Sequence, residues 1–126
     1  MAIDVGVAGA GYSAPDTFTD FRKSRSSKTE LTAESIKSAL RHAGLSKDDL
    51  DASIFTTVDG FEAHVRIERT MDIFGQDRNI PVMSVNTGGS GGASALTKAY
   101  EFVGSGKYDA VLVVGSTSFD SVVQGQ

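Results

Sequence analysis

The 126-residue chain contains no cysteine, which excludes a disulfide framework, a thiolate zinc site and a cysteine nucleophile. Positive charge is also scarce, with 12 Lys and Arg against 16 Asp and Glu, a formal net charge of −4 and a pI near 5.0. Binding to a phosphate backbone needs a broad basic face, so nucleic acid is not an expected partner. No window approaches the ~20 apolar residues of a membrane span. The N-terminal "MAIDVGVAGAGYSAP" has no charged leader, and the expectation is a cytoplasmic protein. Histidine is limited to His42 and His64, both of which precede the most chemically suggestive part of the chain.

What is present fits one domain over residues 1–126, 40% hydrophobic and 22% charged, with a single modest core. "IDVGVAGAGY" alternates Ile3, Val5 and Val7 with small or polar residues, predicting a first strand that exits at Gly9 and Gly11 into a loop. The basic run from Arg22 to Lys28 lacks apolar spacing and is read as a solvated loop in preference to a phosphate-binding patch. Ala33, Ile36, Leu40 and Ala43 then recur at helical spacing, with Thr29 as expected N-cap and Gly44 as stop. His42 falls in the last turn, where an imidazolium suits the helix dipole, and is assigned a capping role in preference to catalysis.

Ser46 to Asp49 has the form of a capping box, and "ASIFTTV" predicts a second strand ending at Asp59-Gly60. Val65, Met71 and Phe74 share a face of a second helix closed by Gly75. "IPVMSV" predicts a strand buried on both faces, and "GGASALTKAYEFVGSG" a helix apolar around most of its circumference and hence largely buried. The run Ala110 to Val114 predicts a last strand of the kind a parallel sheet buries. Alternating strands and helices of this order imply an open α/β sheet with right-handed crossovers.

Three glycine-rich motifs invite chemical readings. Gly9 to Ala14 matches G-x-G-x-x-A after a strand, but Pro15 and polar residues follow where a helix should begin, so a tight strand exit is preferred to a dinucleotide site. Gly104 to Lys107 fails as a P-loop, because Tyr108 stands where a Ser or Thr would hold magnesium. Gly88-Gly89-Ser90-Gly91-Gly92 fits G-x-S-x-G between a strand and a helix, the setting of a nucleophile elbow. Hydrolases of that type place the histidine after the serine, and no histidine follows Ser90. Acyl-enzyme chemistry at Ser90 would need a base from another chain, and the glycines have a plain use in close packing.

"PVMSVNTGGSGGASALTKAYEFVGSGKYDAVLVVGSTS" resembles the N-terminal half of the thiolase superfamily, most specifically sterol-carrier-protein-type thiolases and their lipid-transfer relatives. "VGVAGAGYS" and "ELTAESIKSALRHAGLSKDDLD" resemble the family's first strand and first helix, so the resemblance covers nearly the whole chain. It implies an α/β fold of thiolase type, a mainly parallel sheet with helices on both faces, of which this chain is a partial N-terminal half-domain. Laid on residue by residue, the family's catalytic cysteine falls on Gly89, and Ser90 is its neighbour.

The family's histidines and second cysteine lie in a C-terminal half that this chain does not contain. A helix N-terminus lowers a thiol pKa and can hold an oxyanion; with glycine in the cysteine position, the turn Gly88, Gly89, Ser90 and Gly91 is expected to hold a substrate carbonyl through its amides. The resemblance implies an acyl-CoA thioester as substrate, no covalently bound cofactor and no metal. It also implies an oligomer with another thiolase-like chain or, as in some cysteine-less relatives that run retro-aldol cleavage, a zinc-ribbon and OB-fold partner.

The leading expectation is thus the N-terminal portion or subunit of a cysteine-less thiolase-like enzyme acting on acyl-CoA carbon–carbon bonds, by retro-aldol cleavage or acyl transfer, and inactive alone. The alternatives are a non-catalytic interaction subunit that docks a thiolase through a sheet edge and helix 64–74, and a split serine hydrolase using Ser90.

Overall fold

A computed structural model describes residues 3–12, 28–56, 80–85 and 90–115. The helix α1, Lys28–Ala43, forms on the predicted spacing and buries Ala33, Ile36 and Leu40. It begins one residue before Thr29, which is therefore inside the helix and not its N-cap. Gly44 stops it with a φ of 71°, a left-handed conformation that costs glycine little.

Ser46 then starts the one-turn 3-10 helix Lys47–Asp49: its hydroxyl accepts from the Asp48 amide, and its own amide donates to the Asp49 carboxylate at 2.8 Å. The capping box read from the sequence is thus formed. Strand β1, Ala52–Thr56, follows, then β2, Val82–Ser84, then helix α2, Gly91–Gly104, and β3, Val111–Gly115.

The three strands are parallel in the order β2-β1-β3. Residues Ala52 to Thr56 pair in step with Val111 to Gly115, and Ser53 to Phe55 with Val82 to Ser84. The central strand β1 is buried at every position, because it has a neighbour on each edge and a helix on each face. Successive side chains point to opposite faces. Phe55, Leu112 and Val114 form one core cluster with Ile36, Leu40 and Leu50, whereas Ile54 meets Ala95 and Ala99 of α2 with Val111 and Val113 beside them. The uninterrupted apolar run of the last strand is explained by this two-sided demand.

At the opposite end of β3, the Asp51 carboxylate accepts the amides of Asp109 at 2.7 Å and Ala110 at 3.1 Å, tying the start of β1 to the approach to β3.

Three further expectations differ from the structure. Residues 3–12 form no strand. Ile3 and Val5 stand beside Gly106 and Gly104 at the end of α2, and Gly9 and Gly11 lie on α1, where a Cβ on Gly9 would stand 2.7 Å from the Ala43 nitrogen and 2.8 Å from the Ala39 oxygen, and one on Gly11 would collide with the Ala39 nitrogen and Ser35 oxygen. Gly9 and Gly11 permit backbone to rest directly on helix backbone, which is a packing use and leaves the dinucleotide pattern without a role. Val7 is 77% exposed, as befits a segment with no described ladder partner.

The strand β2 is not buried on both faces, because it is an edge of the described sheet; Val82 is exposed and Met83 and Ser84 are half-buried. Helix α2 is not largely buried either. Gly91, Ala95 and Ala99 face the sheet, while Leu96 and Tyr100 are 55% and 61% exposed. The predicted helix ending at Gly75 lies outside the described residues, as do Arg22 to Ser27 of the basic run.

Ser53 is fully buried in β1, and its hydroxyl has no hydrogen-bond partner. Urea unfolding of Ser53→Ala should show no loss of stability and a gain of up to about 1 kcal/mol, because a desolvated, unpaired hydroxyl is a cost. By contrast, Ile54→Ala, at the adjacent and equally buried position, should lose about 2–5 kcal/mol through a cavity beneath α2.

Candidate functional site

The carboxyl ends of the parallel strands bring together the part of the chain that the sequence marked as chemical. Strand β2 ends at Ser84, and the Val85 amide extends the ladder by donating to the Phe55 carbonyl at 2.8 Å. Ser90, the residue before α2, has φ −95° and ψ 9° and no side-chain capping bond. Ser90 is exposed, whereas Gly91 is buried. Gly88 and Gly89, the latter the expected cysteine position, lie outside the described residues.

The local fold explains why Gly91 is glycine. A Cβ built there would occupy the same space as Oγ1 of Thr56, the last residue of β1. Removal of the side chain lets the first turn of α2 settle directly on the strand end. On the other side of Thr56, its Cγ2 lies 3.7 Å from where a Cβ of Gly115, the last residue of β3, would stand. The start of α2 is therefore seated on the carboxyl end of β1, whose last residue pairs with the last residue of β3, at the edge where open α/β sheets bind ligands. The first turn of α2 presents unsatisfied N–H groups and partial positive charge at this edge, an arrangement that can stabilise a carbonyl or oxyanion oxygen.

Of the two histidines, His42 is engaged elsewhere, its Nδ1 lying 3.0 Å from the Ala10 amide nitrogen and 3.2 Å from the Ala10 carbonyl oxygen. The role is structural but not the helix cap expected of it, since the partner seen is the backbone of the N-terminal segment. His64 lies outside the described residues. The Gly104 to Lys107 motif is a helix end: the Ser105 hydroxyl donates to the Phe102 carbonyl at 2.7 Å, and the Lys107 amide donates back to that hydroxyl at 3.2 Å. Among the described residues, no group of three His, Asp or Glu could hold a metal ion, and no helix is long and apolar enough to cross a membrane.

Residues 5–124 match the family described as thiolase, N-terminal domain. The chain belongs to this thiolase family. Its relatives include a beta-ketoacyl-(acyl-carrier-protein) synthase III of Sulfurovum sp. (strain NBC37-1), 32% identical over 97 residues, which are 75% of this chain and 28% of that protein. The solved 3-oxoacyl-(acyl-carrier-protein) synthase III of Aquifex aeolicus VF5 superposes with a TM-score of 0.64 at 26% identity, over 78% of this chain and 32% of that one. The priming beta-ketosynthase of the R1128 polyketide biosynthetic pathway shares the fold, with a TM-score of 0.69 at 20% identity over 88% of this chain and 41% of that one. This thiolase-family chain thus spans less than a third of the curated relative it matches. These matches show the thiolase family, and the sterol-carrier-protein subtype is a finer assignment than they reach.

Thr56 is the site residue that sequence reading missed. Its only signal was indirect: a glycine opening a buried helix needs something to fill the space its side chain leaves, and a residue at a neighbouring strand end is the natural occupant. Gly91 and Gly92 provide a controlled comparison, since nothing stands within 4 Å of a Cβ at Gly92. Thermal unfolding should show Gly91→Ala destabilised by about 1–3 kcal/mol through overpacking on Thr56. Gly92→Ala should be neutral or stabilised by up to about 1 kcal/mol through helix propensity.

Proposed function

We propose that this chain is the N-terminal portion or subunit of a thiolase-like enzyme that makes or breaks the carbon–carbon bond beside an acyl thioester carbonyl. The observation that carries this reading is the seating of the first turn of α2 on the carboxyl end of β1 in a thiolase-family chain. In it, the turn from Gly88 to Gly91 holds the thioester oxygen through backbone amides, where fixed donors outperform water because they need no reorganisation. Glycine at position 89 leaves no side chain to form a covalent acyl intermediate, which favours retro-aldol cleavage or direct transfer over acyl-enzyme chemistry.

Acyl-CoA is the proposed substrate, and coenzyme A contributes as part of it, with no cofactor bound covalently. The synthase III relatives are named for acyl carrier protein; a thioester carbonyl is the chemistry common to both carriers. General acid and base groups come from outside this chain, supplied by a second thiolase-like chain or by a zinc-ribbon and OB-fold partner, so the isolated chain is inactive.

A second reading, a non-catalytic subunit of a thiolase complex, is favoured by the exposed apolar side chains Leu96 and Tyr100 on α2. A Ser90 hydrolase has the lesser claim, since the one described histidine, His42, is held at Ala10.

The absence of native cysteine makes the assignment of position 89 directly testable. Gly89→Cys introduces one thiol, and if it stands in the nucleophile slot at the start of α2, its pKa should fall by at least about 1 unit from the usual value near 8.5. Its rate of alkylation by iodoacetamide should then exceed that of Gly92→Cys about tenfold at pH 6.5. Equal rates, each rising with an ordinary thiol pKa, would remove Gly89 from the proposed site.

A further inference from the structure

We infer that Thr56 is a positioning residue for the carbonyl-binding turn, setting the height at which the first amides of α2 stand over the sheet. This inference rests on the carbonyl-binding reading above. Thr56 ends β1, the central strand of the described sheet, and is paired with Gly115 at the end of β3. Its side chain is 8% exposed. The three heavy atoms nearest to a Cβ built on Gly91 all belong to it: Oγ1 in collision, Cβ at 3.5 Å and Cγ2 at 3.9 Å.

Its Cγ2 also lies against Gly115, its partner on β3, so the neighbouring strand end braces the seat of α2. A β-branched side chain is stiff about χ1, and the seat it forms therefore cannot yield as a flexible side chain would. Gly91 in turn brings backbone and no side chain to the contact. A displacement of the amides by 1 Å can cost as much as ~100-fold in a catalysed step, so the element that fixes their height controls whether a carbonyl oxygen is held or merely approached.

The smaller hydroxyl, and not a methyl, is the group turned onto Gly91. Thr56→Ser keeps this oxygen, Thr56→Ala removes the seat, and Thr56→Val replaces the oxygen by a bulkier methyl that lifts the turn.

The test measures binding of acetyl-CoA and of S-ethyl-CoA, which lacks only the carbonyl oxygen, to the chain together with whatever chains copurify with it. Calorimetry should find acetyl-CoA bound about fivefold more tightly than S-ethyl-CoA by wild type and by Thr56→Ser, the worth of one net hydrogen bond. In Thr56→Ala and Thr56→Val the ratio should fall to about one, while the affinity for S-ethyl-CoA, which reports an intact binding surface, stays at its wild-type value. If Thr56→Ala does not fold, Thr56→Val, which keeps a β-branched side chain at the strand end and leaves no cavity, decides. A wild-type ratio retained in the folded variants overturns the role of Thr56 and leaves the carbonyl reading standing. No preference for acetyl-CoA in wild type overturns the carbonyl reading, and the positioning role falls with it.

Discussion

Where Gly91 meets Thr56, no room remains for a side chain on the helix, and much of the described architecture follows from that contact. It joins the first residue of α2 to the last residue of β1, the strand on which both others hang. From this junction α2 runs back across the sheet, placing Ala95 and Ala99 over Ile54 before the chain turns at Gly104 to Gly106 into β3. The small residues on the inner face of α2 serve the same end along its length, since alanine and glycine let a helix axis approach a sheet closely. Hydrophobic burial supplies most of the adhesion, but the close approach at Gly91 decides where the helix begins relative to the strand ends.

The two faces of the sheet are packed differently. Against α1 the core consists of large side chains, Ile36, Leu40, Phe55 and Leu112 among them, and separation between layers is set by their bulk. Against α2 the contact is close, with Ile54 fitted beneath alanines. A close contact transmits small displacements more directly than a layer of long side chains, because interiors are dense and little slack is available. The outer side of α2 carries Leu96 and Tyr100 in solvent, so α2 is apolar both where the sheet covers it and beyond.

Features set by short-range chemistry were legible in the sequence. The face of α1, its stop at Gly44 and the Ser46 capping box all depend on residues within a few positions of one another. The parallel α/β class was legible too, from continuous apolar strands alternating with helical spacing, and the motif around Gly89 pointed to the thiolase family that residues 5–124 match. What was not legible depended on pairing. The partial exposure of β2 follows from its edge position, which its apolar composition does not encode. The N-terminal alternation of Ile3, Val5 and Val7 fits a strand, yet the described segment spends its glycines on α1 instead. The apolar circumference of α2 suggested full burial, but one sheet covers only one stripe of a helix. The role of Thr56 could not be read locally, since its partner Gly91 lies on a different element.

The account stands on one claim: that the turn leading into α2 holds the oxygen of an acyl thioester. A crystal structure of the chain with its copurifying partners, soaked with acetyl-CoA, measures this most directly. The account predicts the thioester oxygen within about 3 Å of backbone nitrogens in the 88–91 turn, the range expected of an oxyanion-type donor. An ordered acetyl group whose oxygen is held by other residues, with that turn facing solvent or packed against protein, would contradict it.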